Sequence, residues 1–291
     1  MTKLAVALSG VTKIFSSAWQ RRSIVAVRDL SLEVSAGQIY GVLGPNGSGK
    51  STTLKIILGL ISPTRGGVEI FGRESRETAS RAEVGFLPEN PYFYKYLTGN
   101  ETLRFYGKLS GLGGLKLRNR VDELLELVDL TNARDRRLSG YSKGMLQRIG
   151  LAQAIIHEPK LVVLDEPTAG VDPAGASQIR DLILDLKGRG ITVLLSSHLL
   201  GQVQEICDRV GILANGVLKR EGALQDLLAI ENQTDVVLED ASPRLLREIE
   251  ILAIRSGARV VEQSRSRTSL ERLFLETTRT PQAIGDRPPN A

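Results

Sequence analysis

Cysteine, aromatic residues and long apolar runs are all scarce in this chain of 291 residues. Cys207 is the single cysteine, which excludes an internal disulfide and suits a reducing compartment. No uninterrupted apolar run approaches the roughly 18 residues that predict a membrane-spanning helix. Aromatic residues make up only 4% of the chain, too few for the stacking surfaces that bind single-stranded nucleic acid. We therefore expect no nucleic-acid partner.

The net charge is mildly positive, at +5. Part of the excess lies late in the chain, where residues 244–279 contain eight arginines, no lysine and five glutamates, a net of +3. A solvated arginine-rich face is the simpler interpretation of this segment. Contact with an anionic membrane surface or an acidic partner stays open.

The most informative stretch, residues 44–52, has the sequence GPNGSGKST and fits the pattern G-x-x-x-x-G-K-[ST]. It follows the apolar run 39–43 and precedes the helix-like run 53–58, which is the strand–loop–helix context of a phosphate-binding P-loop. Glycines let successive N–H groups point inward, and the helix N-terminus adds a partial positive charge. Lys50 is expected to reach the β- and γ-phosphates, and Ser51 to hold Mg²⁺. The predicted nucleotide-binding residues of this loop are Gly44, Pro45, Asn46, Gly47, Ser48, Gly49, Lys50, Ser51 and Thr52.

Apolar strands and helical periodicity alternate along most of the chain. Strand-like runs before the P-loop include 4–8, 24–27 and 30–34, and buried-strand runs after it include 161–164 and 191–195. This alternation predicts a largely parallel sheet covered by helices. From about residue 98 to 158 the apolar spacing is helical, which predicts an inserted helical lobe.

Two carboxylates follow directly after the apolar run 161–164. A buried strand that stops at Asp165 and Glu166 is unusual unless something at its end requires negative charge. Asp165 fits the second magnesium-associated position of P-loop proteins. Glu166 points elsewhere and is predicted to orient or deprotonate the attacking water. The alternative is a capping cluster for the next helix.

The chain has two histidines, His157 and His198. His198 follows the strand-like run 191–195, which we expect beside the strand that ends at Asp165. Its side chain would then face the same crevice, so we predict that it donates a hydrogen bond to the γ-phosphate. His157 ends a helical run, where a capping role suffices, and we assign it no chemistry.

Further motifs follow in order over residues 3–230, and together they resemble the ATP-binding subunits of ABC transporters. Phe15 matches the aromatic residue that stacks on adenine in that family. The segment 141–145 matches the family's signature, and Asp172 matches the loop that crosses the dimer interface. His198 matches the family's switch histidine.

The resemblance implies an α/β fold with a P-loop NTPase (RecA-like) core, an antiparallel β subdomain, a helical lobe at about 90–158 and a small C-terminal α/β appendix. It implies a Mg²⁺-dependent ATPase that dimerises around two ATP molecules, with an identical or paralogous second subunit. In such a dimer, Ser142 and Gly144 bind the γ-phosphate held by the other subunit. The dimer would drive a separate integral membrane permease from the cytoplasmic face of the membrane.

Three residues depart from the commonest family pattern. Lys143 and Met145 replace glycine and glutamine in the signature, a variant that resembles the branch serving exporter-type (ABC-2) permeases. Lys143 either adds positive charge near the phosphate or points to solvent. Glu89 stands where most members have glutamine, and we predict that it ligates Mg²⁺; the alternative is a solvated loop carboxylate. A carboxylate accepts hydrogen bonds and binds metal but cannot donate to water.

The composition changes after about residue 230. We predict strands at 236–238 and 258–261, helices near 243–251 and 269–277, and hence a compact α/β appendix. The expected organisation is an ATPase domain at 1–230, the appendix at 231–279 and a disordered tail at 280–291. The closing helix resembles one that is common in the exporter branch, where dimer stabilisation is the modest hypothesis for its role.

Two other function classes share the P-loop. A soluble ABC ATPase that acts on ribosomes or DNA usually has two cassettes or a long coiled coil, whereas this chain has one cassette and no sustained heptads. A kinase or GTPase would lack the signature segment at 141–145. Both alternatives are therefore weaker than a transport ATPase.

Overall fold

In the computed structural model the chain divides into two units. The first unit contains two β-sheets. The described residues are 3–16, 23–228, 238 and 240–260. The two units comprise Met1–Leu228 and Ala229–Ala291. All predicted site residues lie in the first unit.

The described residues contain ten strands. In chain order they are β1 (Leu4–Ser16), β2 (Ser23–Ser35), β3 (Ile39–Leu43), β4 (Arg65–Ile70), β5 (Arg73–Glu74), β6 (Val84–Leu87), β7 (Leu161–Asp165), β8 (Thr192–Ser197), β9 (Arg209–Ala214) and β10 (Val217–Ala223). One sheet has the order β2-β1-β4-β5, and the central sheet has the order β10-β9-β3-β8-β7-β6. The first sheet is antiparallel, and the central sheet is parallel except for the β9–β10 pair.

The described residues also contain nine α-helices. In chain order they are α1 (Lys50–Ile57), α2 (Thr78–Arg81), α3 (Gly99–Leu109), α4 (Gly114–Leu127), α5 (Lys143–Ala154), α6 (Pro173–Gly188), α7 (Leu200–Ile206), α8 (Leu224–Leu228) and α9 (Pro243–Arg255). Helices α3, α4 and α5 form the inserted lobe, with short 3₁₀ segments at Thr131–Ala133 and Leu138–Gly140. No helix among the described residues is long and apolar enough to cross a membrane.

The antiparallel sheet contains two long strands where the sequence predicts shorter ones. The two predicted runs 24–27 and 30–34 belong to a single strand, β2, and β1 extends to Ser16. Both strands continue through irregular register, which includes a shift between Leu8 and Val11. Asp29 has a φ of +46° and donates its backbone N–H to Thr12 Oγ1. Bulges of this kind let a strand bend without ending.

The central sheet brings the carboxyl ends of β3, β7 and β8 side by side. All residues of these three strands are buried, because helices or the second sheet cover both faces. Their parallel register pairs Leu43 with Ser197 and Asp165 with Ser196. The P-loop leaves β3 at this edge, so the predicted carboxylates and the phosphate loop meet there.

Each face of the central sheet belongs to a different hydrophobic core. Val162 and Leu164 of β7 pack with the helical lobe, in a core that includes Leu124 of α4. Leu161 and Val163 of the same strand face the opposite core, which contains α1 and the antiparallel sheet. Each fully buried side chain of this size stabilises the fold by about 1.5–3 kcal/mol. The sheet is therefore held between the lobe and the antiparallel subdomain.

The lobe begins at a capping box that fixes the start of α3. Thr98 Oγ1 accepts from the Glu101 backbone N–H at 3.2 Å, and Glu101 Oε2 accepts from the Thr98 N–H at 2.8 Å. The hydrogen bond from the Thr98 backbone N–H lowers the pKa of Glu101, because it favours the ionised carboxylate. The reciprocal pair satisfies two backbone donors that the helix itself leaves without partners.

The described part of the second unit contains α9, where a helix near 243–251 is predicted. The strand predicted at 258–261 is wrong for residues 258–260, which form neither helix nor strand. An apolar run becomes a strand only beside a neighbouring strand, and the described residues of this unit contain none. The predicted helix near 269–277 and the tail at 280–291 lie outside the described residues, as does most of the strand predicted at 236–238.

The predicted α/β class and antiparallel subdomain are confirmed in the first unit. Helix and strand ends differ from the predictions by a few residues; the strand predicted at 191–195, for example, is Thr192–Ser197. Strands β9 and β10 were not predicted. β9 pairs in parallel with β3, on the side of β3 that faces away from β8. It therefore supports the strand from which the P-loop begins.

We predict that Cys207 is inert towards thiol reagents in the folded protein. Cys207 is buried, with 8% exposure, and burial raises the pKa of its thiol to about 12. Since only the thiolate reacts, modification should be slower than that of a free thiol by about two orders of magnitude or more. The measurement is the rate of Ellman's reagent consumption in native buffer and in denaturant. Equal rates in the two conditions would contradict the buried packing of this thiol.

Candidate nucleotide-binding site

The P-loop between β3 and α1 needs glycine at two positions for steric reasons. A Cβ on Gly44 would lie 2.2 Å from the Leu213 carbonyl oxygen, and one on Gly49 would lie 2.6 Å from that of Ala26. Both contacts are with backbone, which cannot move aside cheaply. Gly44, Gly47 and Gly49 also have positive φ angles of 152°, 79° and 106°.

Helix α1 presents its first amide groups without a side-chain cap. Its N-cap residue, Gly49, has no side chain, and no side-chain oxygen accepts from the first turn. The first N–H groups of a helix have no partner within the helix. Together with the helix dipole, they make this end of α1 suited to bind an anion such as a phosphate.

Lys50 is buried, and its ammonium group is held at the mouth of the loop. Its Nζ donates to the Gly44 carbonyl oxygen at 2.8 Å and lies 3.4 Å from that of Pro45. It also forms an ion pair with Glu166, with Nζ and Oε1 3.2 Å apart. A buried ammonium group requires such partners, because desolvation of an unpaired charge is costly.

Asp165 lies at the end of β7 and accepts hydrogen bonds from two hydroxyl groups. Its Oδ1 lies 2.6 Å from Ser196 Oγ and 3.2 Å from Ser51 Oγ. Ser196 is fully buried on the neighbouring strand β8. Asp165 Oδ2 makes no hydrogen bond with the described residues. The carboxylate is thus oriented by Ser196 and held beside Ser51 of the P-loop.

Glu166 adopts a left-handed backbone conformation, with a φ of +49°. This conformation is unfavourable for a residue with a side chain, and strain of this kind clusters at functional sites. The Glu166 N–H donates to Ser196 Oγ at 3.0 Å. Its Oε2 lies 2.8 Å from His198 Nδ1 and 3.3 Å from the His198 backbone nitrogen. The carboxylate therefore bridges Lys50 and His198.

Lys50, Glu166 and His198 share one cleft of about 290 Å³, and Asp165 lies outside its lining, beside Ser51. That volume is at the lower end of the range typical of small-molecule sites. The cleft is lined by Ile24, Val25, Ala26, Asn46, Gly47, Gly49, Lys50, Ser51, Thr52, Glu89, Glu166 and His198.

Comparison with known proteins gives consistent results. Residues 27–169 match the ABC transporter family. An uncharacterized ABC transporter ATP-binding protein of Nostoc sp. is 37% identical over 94% of this chain and 90% of its own length. The chain belongs to the ABC transporter ATP-binding proteins. This assignment excludes the kinase and GTPase alternatives.

A second relative and a solved structure extend the comparison. The bacitracin transport ATP-binding protein BcrA of Bacillus licheniformis is 42% identical over 67% of this chain and 64% of its own length. A dimeric post-hydrolysis structure of the ATP-binding cassette MJ0796, bound to ADP and Pi, has 27% identity and a TM-score of 0.69. It covers 75% of this chain and 98% of that one. The predicted P-loop NTPase fold and ATPase activity are confirmed at the level of the family.

The predicted adenine-stacking residue, Phe15, lies beside the cleft and not in its lining. It is 43% exposed near the end of β1 and pairs in register with Ile24, a lining residue. Lys13 Nζ lies 5.0 Å from the centre of its ring. Its contact with adenine stays a prediction.

The predicted signature and interface residues lie outside the cleft lining. Ser142 caps α5 by accepting from the Met145 N–H at 3.2 Å, and Asp172 caps α6 by accepting from the Gly175 N–H at 2.9 Å. Gly144 lies against Val171, since a Cβ on it would be 3.2 Å from Val171 Cγ1. Contact of Ser142, Gly144 and Asp172 with nucleotide stays a prediction.

Lys143 is exposed at the start of α5, and both arrangements considered for it stay predictions. A Cβ on Gly170 would lie 2.6 Å from Lys143 Nζ, so the side chain crosses over Gly170. Gly170 precedes Asp172 in the predicted interface loop. The lysine thus contacts that loop within its own chain.

Sequence reasoning missed two residues that organise the site. Ser196 was overlooked beside His198, although a serine at the end of a wholly apolar strand is a signal for a buried polar contact. Gln147 was overlooked because it lies in a helix and its partner is a backbone atom: its Nε2 donates to the Glu89 carbonyl oxygen at 2.7 Å. No sequence pattern identifies such a partner.

The side chains near Ser51 suit a Mg²⁺ ion that is bound partly by the protein and partly by phosphates and water. They do not suit an ion that is bound by protein side chains alone. The described residues contain no cluster of three or more His, Cys, Asp or Glu side chains that could hold a metal alone. Mg²⁺ typically binds one or two carboxylates together with phosphates and water. Ser51 and Asp165 provide a hydroxyl and a carboxylate oxygen 3.2 Å apart, and the exposed Glu89 faces the same cleft.

We predict that Ser196→Ala lowers kcat for ATP about tenfold with little change in KM. The substitution removes the hydroxyl that donates to Asp165 and accepts from the Glu166 N–H. A charge-assisted hydrogen bond contributes about 1.5–3 kcal/mol, enough for a tenfold effect. The measurement is steady-state ATP hydrolysis.

Ser197→Ala is the matched control. Ser197 is a buried neighbour whose hydroxyl accepts from the Leu199 N–H and does not contact either carboxylate. An equal loss of kcat in both variants would mean that the effect reports strand packing and not carboxylate orientation.

Proposed function

We propose that this chain is the ATP-hydrolysing subunit of an ABC exporter, acting as a homodimer that drives a separate membrane permease. The observation that carries the proposal is the meeting of Lys50, Glu166 and His198 in one cleft with Ser51 and the P-loop amides. This set contains a phosphate-binding loop, a metal-binding hydroxyl and a carboxylate base. Nucleotide hydrolysis is the chemistry that uses all three.

Phosphate binding is the first step of the proposed mechanism. The loop amides of residues 44–52 and the N-terminus of α1 would hold the β- and γ-phosphates. Lys50 would move from Glu166 to the phosphates, because a multiply charged phosphate competes with a single carboxylate for the ammonium group. Glu166 would then be free to act on water. Phe15 would stack on the adenine.

The metal would lie between the phosphates and the end of β7. Mg²⁺ would be held by Ser51, with Asp165 and Glu89 as its carboxylate partners, directly or through water. When bound, it neutralises the charge that develops on the transferred phosphoryl group. Ser196 supports this arrangement because it fixes the orientation of Asp165.

Glu166 is the proposed general base, and His198 the proposed γ-phosphate donor. The hydrogen-bond distance between Glu166 Oε2 and His198 Nδ1 supports a joint role for the two side chains. In hydrolysis Glu166 would accept a proton from the attacking water. His198 would donate a hydrogen bond to the γ-phosphate. This hydrogen bond would be lost when the phosphate leaves.

Dimerisation would complete the site. Ser142 and Gly144 at the start of α5 and Asp172 at the start of α6 lie outside the cleft of their own chain, which leaves them for the nucleotide of a second subunit. MJ0796, whose structure is dimeric with ADP and Pi, supports this arrangement by relationship. Loss of the γ-phosphate would loosen the interface, and this change between two states would drive the permease.

Export is supported by relationship to BcrA, whose name assigns it to bacitracin transport. We infer that the helical lobe formed by α3, α4 and α5 receives the permease and that the dimer acts at the cytoplasmic face of the membrane. Subunits of this family pair with membrane permeases. The transported molecule is determined by that permease and not by the cleft described above.

We predict that Glu166→Gln lowers ATP turnover at least about 100-fold but preserves ATP binding. The amide cannot accept the proton, while the P-loop and Lys50 are unchanged. The variant should therefore accumulate as an ATP-bound dimer. The measurements are phosphate release and size-exclusion chromatography with light scattering, with and without Mg²⁺-ATP.

Glu126→Gln is the control for this experiment, since Glu126 is exposed on α4 in the helical lobe. It should hydrolyse ATP at the wild-type rate and show no trapped dimer. Normal hydrolysis by Glu166→Gln would overturn the role proposed for Glu166. If the ATP-bound Glu166→Gln variant is a monomer, the proposal that two subunits share each nucleotide site is wrong.

We predict that deletion of residues 232–291 weakens dimerisation of the Glu166→Gln variant. The second unit contains α9, whose apolar side chains Leu245, Ile251, Leu252 and Ile254 are 41–64% exposed. Exposed apolar side chains of this kind are suited to contact a second copy. The measurement is the ATP concentration at which half of the protein is dimeric. Equal dimerisation of the truncated and full-length chains would exclude a stabilising role.

A further inference from the structure

Helix α5 contacts the segment that carries Glu89 at two points. Gln147, which is 1% exposed, donates from Nε2 to the Glu89 carbonyl oxygen at 2.7 Å. A Cβ on Gly150 would lie 2.5 Å from Leu87 Cδ1, so the helix backbone lies directly against the end of β6. The two contacts are three residues apart, and so lie on one face of the helix.

The Glu89 segment therefore connects two structural parts. At one end, Leu87 of β6 pairs in register with Leu164 of β7, the residue before Asp165. At the other end, Gln147 holds the Glu89 backbone to α5, the helix that Ser142 caps. A shift of α5 relative to the central sheet would thus change the position of Glu89 in the cleft.

The amide of Gln147 has one hydrogen bond with the described residues, and that bond goes to Glu89. Its Oε1 is buried without a hydrogen-bond partner among them. A buried acceptor without a partner destabilises a fold, so an apolar side chain of the same size would suit packing alone. The next residue, Arg148, differs, since it donates to the Val128 carbonyl oxygen and so joins parts of the lobe.

We propose that Gln147 is a positioning residue that holds Glu89 at the metal side of the cleft and couples it to α5. The inference rests on the proposed function of Glu89 as a Mg²⁺ partner. Residues that orient metal ligands through hydrogen bonds typically change metal affinity by about 10- to 100-fold when they are removed. Gln147 acts through the Glu89 backbone and does not touch the metal or the nucleotide.

The test compares Gln147→Met with Gln153→Met in the full-length protein. Methionine preserves the length of the side chain and removes the N–H donor. Gln153 lies on the same helix, is half-buried and makes no side-chain hydrogen bond with the described residues. The probe is Mn²⁺, whose binding in the presence of the non-hydrolysable analogue AMP-PNP is measured by electron paramagnetic resonance.

The expected result is about a tenfold weaker Mn²⁺ affinity for Gln147→Met and an unchanged affinity for Gln153→Met. Binding of AMP-PNP in EDTA should stay within twofold of wild type in both variants, because the P-loop is intact. Glu89→Ala should also weaken Mn²⁺ binding. Combining it with Gln147→Met should weaken binding no further, since both changes act through one residue.

Two outcomes distinguish this inference from the proposed function. If Glu89→Ala weakens Mn²⁺ binding and Gln147→Met does not, the positioning role is wrong and the metal role of Glu89 stands. If Glu89→Ala leaves Mn²⁺ binding unchanged, the metal role fails and the inference fails with it. Should Gln147→Met unfold, Gln147→Glu replaces the donor with an oxygen and is expected to weaken Mn²⁺ binding in the same way.

Discussion

The parallel register of β3, β7 and β8 is the constraint on which the rest of the site depends. It places Asp165 opposite Ser196 and ends β3 at the same edge of the sheet. Asp165 Oδ1 can then accept from Ser196 on one side and from Ser51 of the P-loop on the other. A shift of one residue in either pairing would turn these side chains to the opposite face.

Charge is balanced in this cleft through a chain of contacts. Lys50 pairs with Glu166, which in turn contacts His198, and both Lys50 and Glu166 are buried. Each buried charge therefore has a partner that a bound phosphate or water can replace. The two adjacent carboxylates have different partners: Asp165 contacts two serine hydroxyl groups, whereas Glu166, in a left-handed backbone conformation, contacts Lys50 and His198. Under the proposed function, metal binding and water activation would fall to two adjacent residues.

The strongest sequence predictions concerned residues whose roles depend on local chain geometry. The P-loop was predictable because Gly44, Gly49 and Lys50 work through the conformation of one short loop and the start of one helix. The strands β9 and β10 were missed because their apolar residues alternate irregularly. The strand predicted at 258–261 was wrong for residues 258–260, because strand formation depends on a neighbouring strand as well as on the residues themselves.

The sequence by itself determined the nucleotide loop, the order of the motifs and the membership of the family, since these depend on residue types at fixed spacing. Only the tertiary structure decided that Ser196 contacts the Asp165 carboxylate and the Glu166 backbone N–H, and that Gln147 contacts Glu89. The contacts with Asp165 and Glu89 join residues 31 and 58 positions apart along the chain. They depend on strand register and on the packing of α5 against β6, which no local pattern of side chains encodes.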